Sequence, residues 1–136
     1  EGITDHLMQV ELIKTDFSGK LLWAKKYPGL GNSILRGMEL LPNGNIMLLG
    51  SSSNSNYNFA FPEAFFNLKT MLIQVDKEGN LIWQKFTGGE KNANIYQSVQ
   101  QKEDGSFIIA GYTCLTEIGF HKMNWSKVDK MGELIK

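Results

Sequence analysis

The chain has little of what most catalytic and metal chemistry needs. Cys114 is its single cysteine, so no internal disulfide can form, and no Cys/His cluster has zinc-ligand spacing. Histidine is nearly as scarce. His6 and His121 are far apart, and neither has a Ser, Cys or Asp partner at a recognisable catalytic spacing. No Gly-x-Ser-x-Gly, P-loop or His-Glu-x-x-His motif occurs, and Gly88-Gly89 is no phosphate cradle because no helical pattern follows it. Charge of one sign is missing as well. Fourteen basic and fourteen acidic residues cancel, which argues against a nucleic-acid footprint; Lys25-Lys26 is only a dipeptide at a strand end. No apolar run approaches the ~20 residues that cross a bilayer. The opening Glu1-Gly2-Ile3-Thr4-Asp5-His6 lacks the charged start and apolar core of a signal peptide, which fits a mature form or an internal piece.

What is present is an internal repeat. Asp16-Phe17-Ser18-Gly19-Lys20-Leu21-Leu22-Trp23 recurs as Asp76-Lys77-Glu78-Gly79-Asn80-Leu81-Ile82-Trp83. It begins again as Asp129-Lys130-Met131-Gly132-Glu133-Leu134-Ile135, with Lys136 at the place of the tryptophan. Leu41-Pro42-Asn43-Gly44-Asn45-Ile46-Met47-Leu48-Leu49-Gly50 matches Lys102-Glu103-Asp104-Gly105-Ser106-Phe107-Ile108-Ile109-Ala110-Gly111. Self-similarity at this period marks a propeller or solenoid.

Each copy reads as short strands separated by turn chemistry. Val10–Thr15, Leu21–Tyr27, Gly37–Leu41 and Ile46–Gly50 are rich in β-formers and broken by Asp-x-x-Gly, Pro28-Gly29 and Asn43-Gly44. Met71–Val75, Leu81–Phe86, Tyr96–Gln101 and Phe107–Tyr112 repeat the set, and Trp125–Val128 with Glu133–Ile135 begin it once more. That predicts ten strands, and no segment has a sustained helical period with caps. Phe61–Phe66 could hold one short turn with Pro62 at its start.

The repeated residues have structural readings. One Asp per turn is too few oxygens for a calcium loop. An Asp that bonds its own turn amides, followed by Gly at positive φ, accounts for Asp16, Asp76 and Asp129. Trp23 and Trp83 at one repeat period are predicted to be buried, equivalent packing residues rather than a cofactor platform. Cys114 follows an apolar strand and reads as a half-buried thiol. The segment 51–67 differs. It starts polar and then carries Tyr57, Phe59, Phe61, Phe65 and Phe66. These aromatics either cap the core or form a contact surface for a protein or glycan, which Phe120 on the matching loop would extend. Tyr57 and Phe59, flanked by Asn, are the expected contacts.

A strand ending in Asp, then x-x-Gly-x-Leu-x-Trp, then a Gly-bearing loop, then Glu103-Asp104-Gly105-Ser106-Phe107-Ile108-Ile109-Ala110-Gly111-Tyr112-Thr113, resembles the roughly sixty-residue blade repeats of bacterial β-propellers. These are related in pattern to quinoprotein and WD-type blades. The resemblance covers residues 8–136 and implies four-stranded antiparallel blades: a half blade over 8–27, a blade over 34–86, and a blade over 95–136 with its last strand cut short. It places the Gly37 and Ser98 strands innermost and the Trp strands outermost. The short turns would share one end of the blades and the longer, variable loops the other, where binding residues concentrate. It also implies an extracytoplasmic place, since such repeats are frequent in exported lipoproteins of Bacteroidota.

The expectation is therefore an all-β, propeller-like, non-catalytic scaffold at a bacterial cell surface or outer membrane. It needs no cofactor and no metal, and its partner is another protein or further blades. Carbohydrate binding through Tyr57, Phe59 and Trp125 is an alternative. So is a piece of a propeller enzyme, a hydrolase or a quinoprotein-like oxidoreductase, whose site lies in other blades.

Overall fold

A computed structural model describes residues 8–53, 68–88, 93–115 and 120–135, without the side chains of Leu115 and Phe120. Among these residues there are ten strands: β1 (Val10–Thr15), β2 (Leu21–Tyr27), β3 (Asn32–Leu40), β4 (Ile46–Ser53), β5 (Lys69–Val75), β6 (Leu81–Thr87), β7 (Ala93–Gln101), β8 (Phe107–Leu115), β9 (Phe120–Val128) and β10 (Leu134–Ile135). No helix among the described residues is long and apolar enough to cross a membrane.

The strands form three antiparallel sheets in chain order: β1-β2, then β3-β4-β5-β6, then β7-β8-β9-β10. Each four-stranded sheet is a meander, so its two short hairpin turns fall at one end and its β4–β5 or β8–β9 connection at the other. Several strands outrun the sequence reading. β3 and β7 begin at Asn32 and Ala93 because the ladder continues past a bulge, between Leu35 and Gly37 in one sheet and between Tyr96 and Ser98 in the other. β9 begins at Phe120 rather than Trp125. Polar residues such as Asn94, Lys122 and Asn124 mask these ends as loop in the sequence, but ladder hydrogen bonds do not depend on side-chain polarity.

Asp-x-x-Gly turns close β1-β2, β5-β6 and β9-β10. Asp16 Oδ1 accepts the amides of Ser18 and Lys20 at 2.9 and 3.0 Å. Asp76 Oδ1 does the same for Glu78 and Asn80 at 2.9 and 2.8 Å, and Asp129 Oδ1 for Met131 and Glu133 at 2.8 and 2.9 Å. The glycines of these turns, Gly19, Gly79 and Gly132, sit at φ of 82°, 77° and 82°.

The sheets pack face to face in sequence order. β4 and β5 are buried on both faces. Leu48, Met71, Ile73 and Val75 pack with Val10, Leu12 and Tyr27 of the first sheet. Met47, Leu49 and Leu72 point the other way, onto Tyr96, Phe107, Ile109 and Val128 of the third. Two-sided burial explains why these strands read as continuous apolar runs rather than alternating ones.

Candidate functional site

The contacts between sheets are themselves repeated. Trp23 and Trp83 are half-buried, not fully buried as the sequence suggested, because β2 and β6 lie at the edges of their sheets. Each indole lies on the turn glycine of the next sheet. A Cβ on Gly79 would meet the Trp23 ring at 2.8 Å, and a Cβ on Gly132 would meet the Trp83 ring at 2.7 Å. The flanking lysines follow the same rule: Lys25 Nζ donates to Asn80 Oδ1 at 2.6 Å, and Lys85 Nζ pairs with Glu133 Oε1. Tyr27 adds an O–H donated to the Gly79 carbonyl at 2.7 Å. Burial, and then the charge of Asp76, push the Tyr27 phenol above its ordinary pKa, so it stays a donor.

The end that carries the short turns is occupied by its own chemistry. Asp16 is held below the usual carboxylate range by the Ser18 hydroxyl and the Lys20 amide. Asp76 is lowered by the Asn80 amide and then its side chain. Asp104 is lowered furthest, by the Ser106 hydroxyl and then Lys127, which lies 2.9 Å away. These carboxylates already accept local donors, so their geometry is that of Asx turns. Among the described residues no three His, Cys, Asp or Glu side chains gather to hold a metal.

The opposite end holds a band of buried and half-buried polar side chains under the longer connections. Ser51, Ser52 and Ser53 are buried at the end of β4. Ser52 Oγ lies 2.8 Å from Ser33 Oγ and accepts the Leu30 amide at 2.9 Å. In the third sheet Asn94 Oδ1 accepts from Thr113 Oγ1 at 2.7 Å and from Asn124 Nδ2 at 3.1 Å, while the Tyr96 and Ser126 hydroxyls lie 2.7 Å apart. Such satisfied networks stiffen the base on which the connections sit. Among the described residues, Ser51 Oγ and Arg36 Nε are buried without a hydrogen-bond partner.

Strand pairing also brings Cys114 and His121 together. They are Cα partners across β8 and β9, with Sγ 3.2 Å from Nδ1, and Tyr112 meets the imidazole edge-on at 5.2 Å. A seven-residue separation shows nothing of this until the hairpin register is known. Cys114 lies within β8 and is buried rather than half-buried. Burial raises its pKa, against an opposing effect of Arg36, so the thiol stays protonated. A reactive thiolate needs the reverse.

Of the residues singled out in the sequence, Tyr57, Phe59, Phe61, Phe65 and Phe66 lie outside the described residues. Phe120 opens β9 opposite Leu115. The alternative contact Trp125 is 67% exposed on the outer face of the third sheet, beside Met123 at 91%. Together with Ala110, Gln97 and Ser98 they line a groove of about 450 Å³.

No protein-family model and no curated protein matches this chain. Among solved structures it is similar to a protein of unknown function from Bacteroides caccae, determined at 1.35 Å resolution, with a TM-score of 0.52 at 12% identity. The match covers 90% of this chain and 36% of that one, so the chain spans about a third of the length of its structural neighbour. At that identity the likeness concerns the fold alone.

Proposed function

We propose that the chain is part of a β-propeller scaffold that is non-catalytic and presents its longer connections to a protein partner. The three sheets are read as about two and a half blades. The observation that carries the reading is the repeated stacking: the same Trp-on-Gly and Lys-to-turn contacts join the first sheet to the second and the second to the third. A scaffold of this kind has one end closed by uniform turns and another free to vary. Segment 54–67 spends five aromatics at the variable end, whereas 116–119, its counterpart, is short. Large apolar side chains in a connection are typical of contact surfaces. An extracytoplasmic, cell-surface location is part of the proposal and is supported by the sequence resemblance.

The direct test is a paired measurement on Tyr57→Ser/Phe59→Ser. Recovery of a specific partner from bacterial envelope extract should fall, while the unfolding free energy from urea titration stays within about 0.5 kcal/mol of the parent, as expected for surface changes. Unchanged recovery of every partner would leave these aromatics a packing role only. Loss of the fold in the double variant would do the same.

A further inference from the structure

One hairpin turn carries a chemistry that a scaffold does not need. The turn between β3 and β4 reads Leu41-Pro42-Asn43-Gly44-Asn45. Gly44 sits at φ 85°, a conformation that favours glycine, so the turn itself calls for Gly after Asn43. Of the six described glycines at positive φ, only Gly44 follows an asparagine; the others follow Ser18, Glu78, Thr87, Asp104 and Met131. Asn43 is exposed. With no Cβ on the next residue, little shields the backbone nitrogen of Gly44 from the side-chain carbon of Asn43. The reaction open to such a pair is intramolecular. Gly44 N loses its proton to solvent base and forms a bond to Asn43 Cγ; the Cγ–Nδ2 bond breaks, and Nδ2 leaves as ammonia. Water then opens the resulting cyclic imide at either carbonyl, giving aspartate or isoaspartate. One water is consumed, one ammonia is released, and nothing is oxidised or reduced.

In the folded hairpin both reacting groups are engaged elsewhere. The Gly44 N–H donates to the Leu41 carbonyl at 2.9 Å, and Asn43 Oδ1 accepts the Asn45 amide at 3.0 Å. The Leu41 amide closes the turn on the Asn45 carbonyl at 2.8 Å, and the Leu41 side chain is buried in the core. Removing the Gly44 proton and swinging Cγ onto that nitrogen breaks the first two bonds, so reaction waits for the turn to open. We infer that Asn43 is a self-deamidating modification site gated by this hairpin, stable while the turn is closed and converted when it opens. The twin turn of the third sheet shows which product the fold accepts. There Asp104 stands in the place of Asn43. Its Oδ1 accepts the Ser106 amide at 2.9 Å, and the Gly105 N–H donates to the Lys102 carbonyl at 2.9 Å. Aspartate at position 43 therefore fits the same turn and adds one negative charge. Isoaspartate does not fit, because it lengthens the main chain by one carbon and pulls the Leu41–Asn45 closure out of register. Asp104 itself is kept ionised by the Ser106 hydroxyl and then Lys127, and a carboxylate resists attack at its carbon. The inference does not depend on what the longer connections bind.

Peptide mass mapping of the protein held at mildly alkaline pH tests it, with the mass gain of an amide-to-acid change at Asn43 as the readout. The folded chain should convert at least about tenfold more slowly than the same chain in guanidinium chloride, because a step that needs local opening is slowed in proportion to the open population. Leu41→Ala removes the buried anchor of the turn but leaves Asn43-Gly44 in place. In native buffer it should convert faster than the parent, with its β-signal in circular dichroism retained. Should that variant unfold, the comparison of folded and unfolded parent decides alone. Asn43→Asp should keep the parent's urea midpoint, whereas the isoaspartate fraction isolated by ion exchange should unfold at lower urea. Equal rates in the folded and unfolded chain would overturn the inference, as would an unfolded chain that does not convert at Asn43. A folded Leu41→Ala protein that converts no faster than the parent would overturn it too.

Discussion

A glycine in this repeat is chosen for different reasons at different places. Gly19 and Gly79 occupy the same kind of turn with a positive φ, but of the two only Gly79 supports an indole among the described residues. Their alanine variants therefore separate two effects. Gly19→Ala should cost about 1 kcal/mol, the strain of a left-handed residue with a Cβ. Gly79→Ala adds a collision with Trp23 and should cost clearly more, and urea midpoints of the two variants would show the gap. Equal losses would mean that the Trp seat contributes nothing. Gly50 and Gly111 have ordinary φ, and their constraint is tertiary. A Cβ there would strike the carbonyls of Ile34 and Ile95, which lie just before the bulges in β3 and β7. The sequence displays all four glycines alike, and only the packing tells them apart.

At the scale of the element, hairpin closure depends on ionised carboxylates. Asp16, Asp76 and Asp104 have folded-state pKa values below their ordinary ones. The unfolded chain then binds more protons between the two values, so stability is fully present above about pH 5 and falls as pH drops below about 4. Asp76→Asn keeps an acceptor for the amides of Glu78 and Asn80 but cannot titrate. Its urea midpoint should fall less than the parent's between pH 7 and pH 3. An identical acid loss in parent and variant would remove Asp76 from the account. The strands themselves differ by position. Leu49 in β4 is buried between two sheets, while Met38 on the edge strand β3 is exposed. Leu49→Ala should cost about 2–5 kcal/mol. Met38→Ala should stay within about 0.5 kcal/mol. Similar losses at both would contradict the assigned burial.

For the whole molecule, stability rests on sheet-to-sheet contact rather than on any one sheet. Trp83 packs the middle sheet against the third while remaining partly exposed. Trp83→Ala should therefore cost about 2–3 kcal/mol, below the ~3–5 kcal/mol of a fully buried ring. Urea unfolding followed by circular dichroism measures it. A loss under about 0.5 kcal/mol would make the indole a surface residue.

Strand existence, turn type and the Asp and Gly that close each hairpin were legible in the sequence, because they depend on neighbours a few residues apart. The order of strands within each four-stranded sheet was expected only through the resemblance to propeller blades, and the observed order agrees with it. Strand ends were not legible, because ladder bonding continued through polar segments such as 120–124. The Cys114–His121 pair, the seat of each tryptophan on a glycine some fifty residues away, and the exposure of Trp125 where Leu72 is buried were decided only by tertiary structure. The physical reason is the same in each case. Local sequence specifies backbone conformation and which face is apolar, but which surface meets that face depends on how distant segments are brought together.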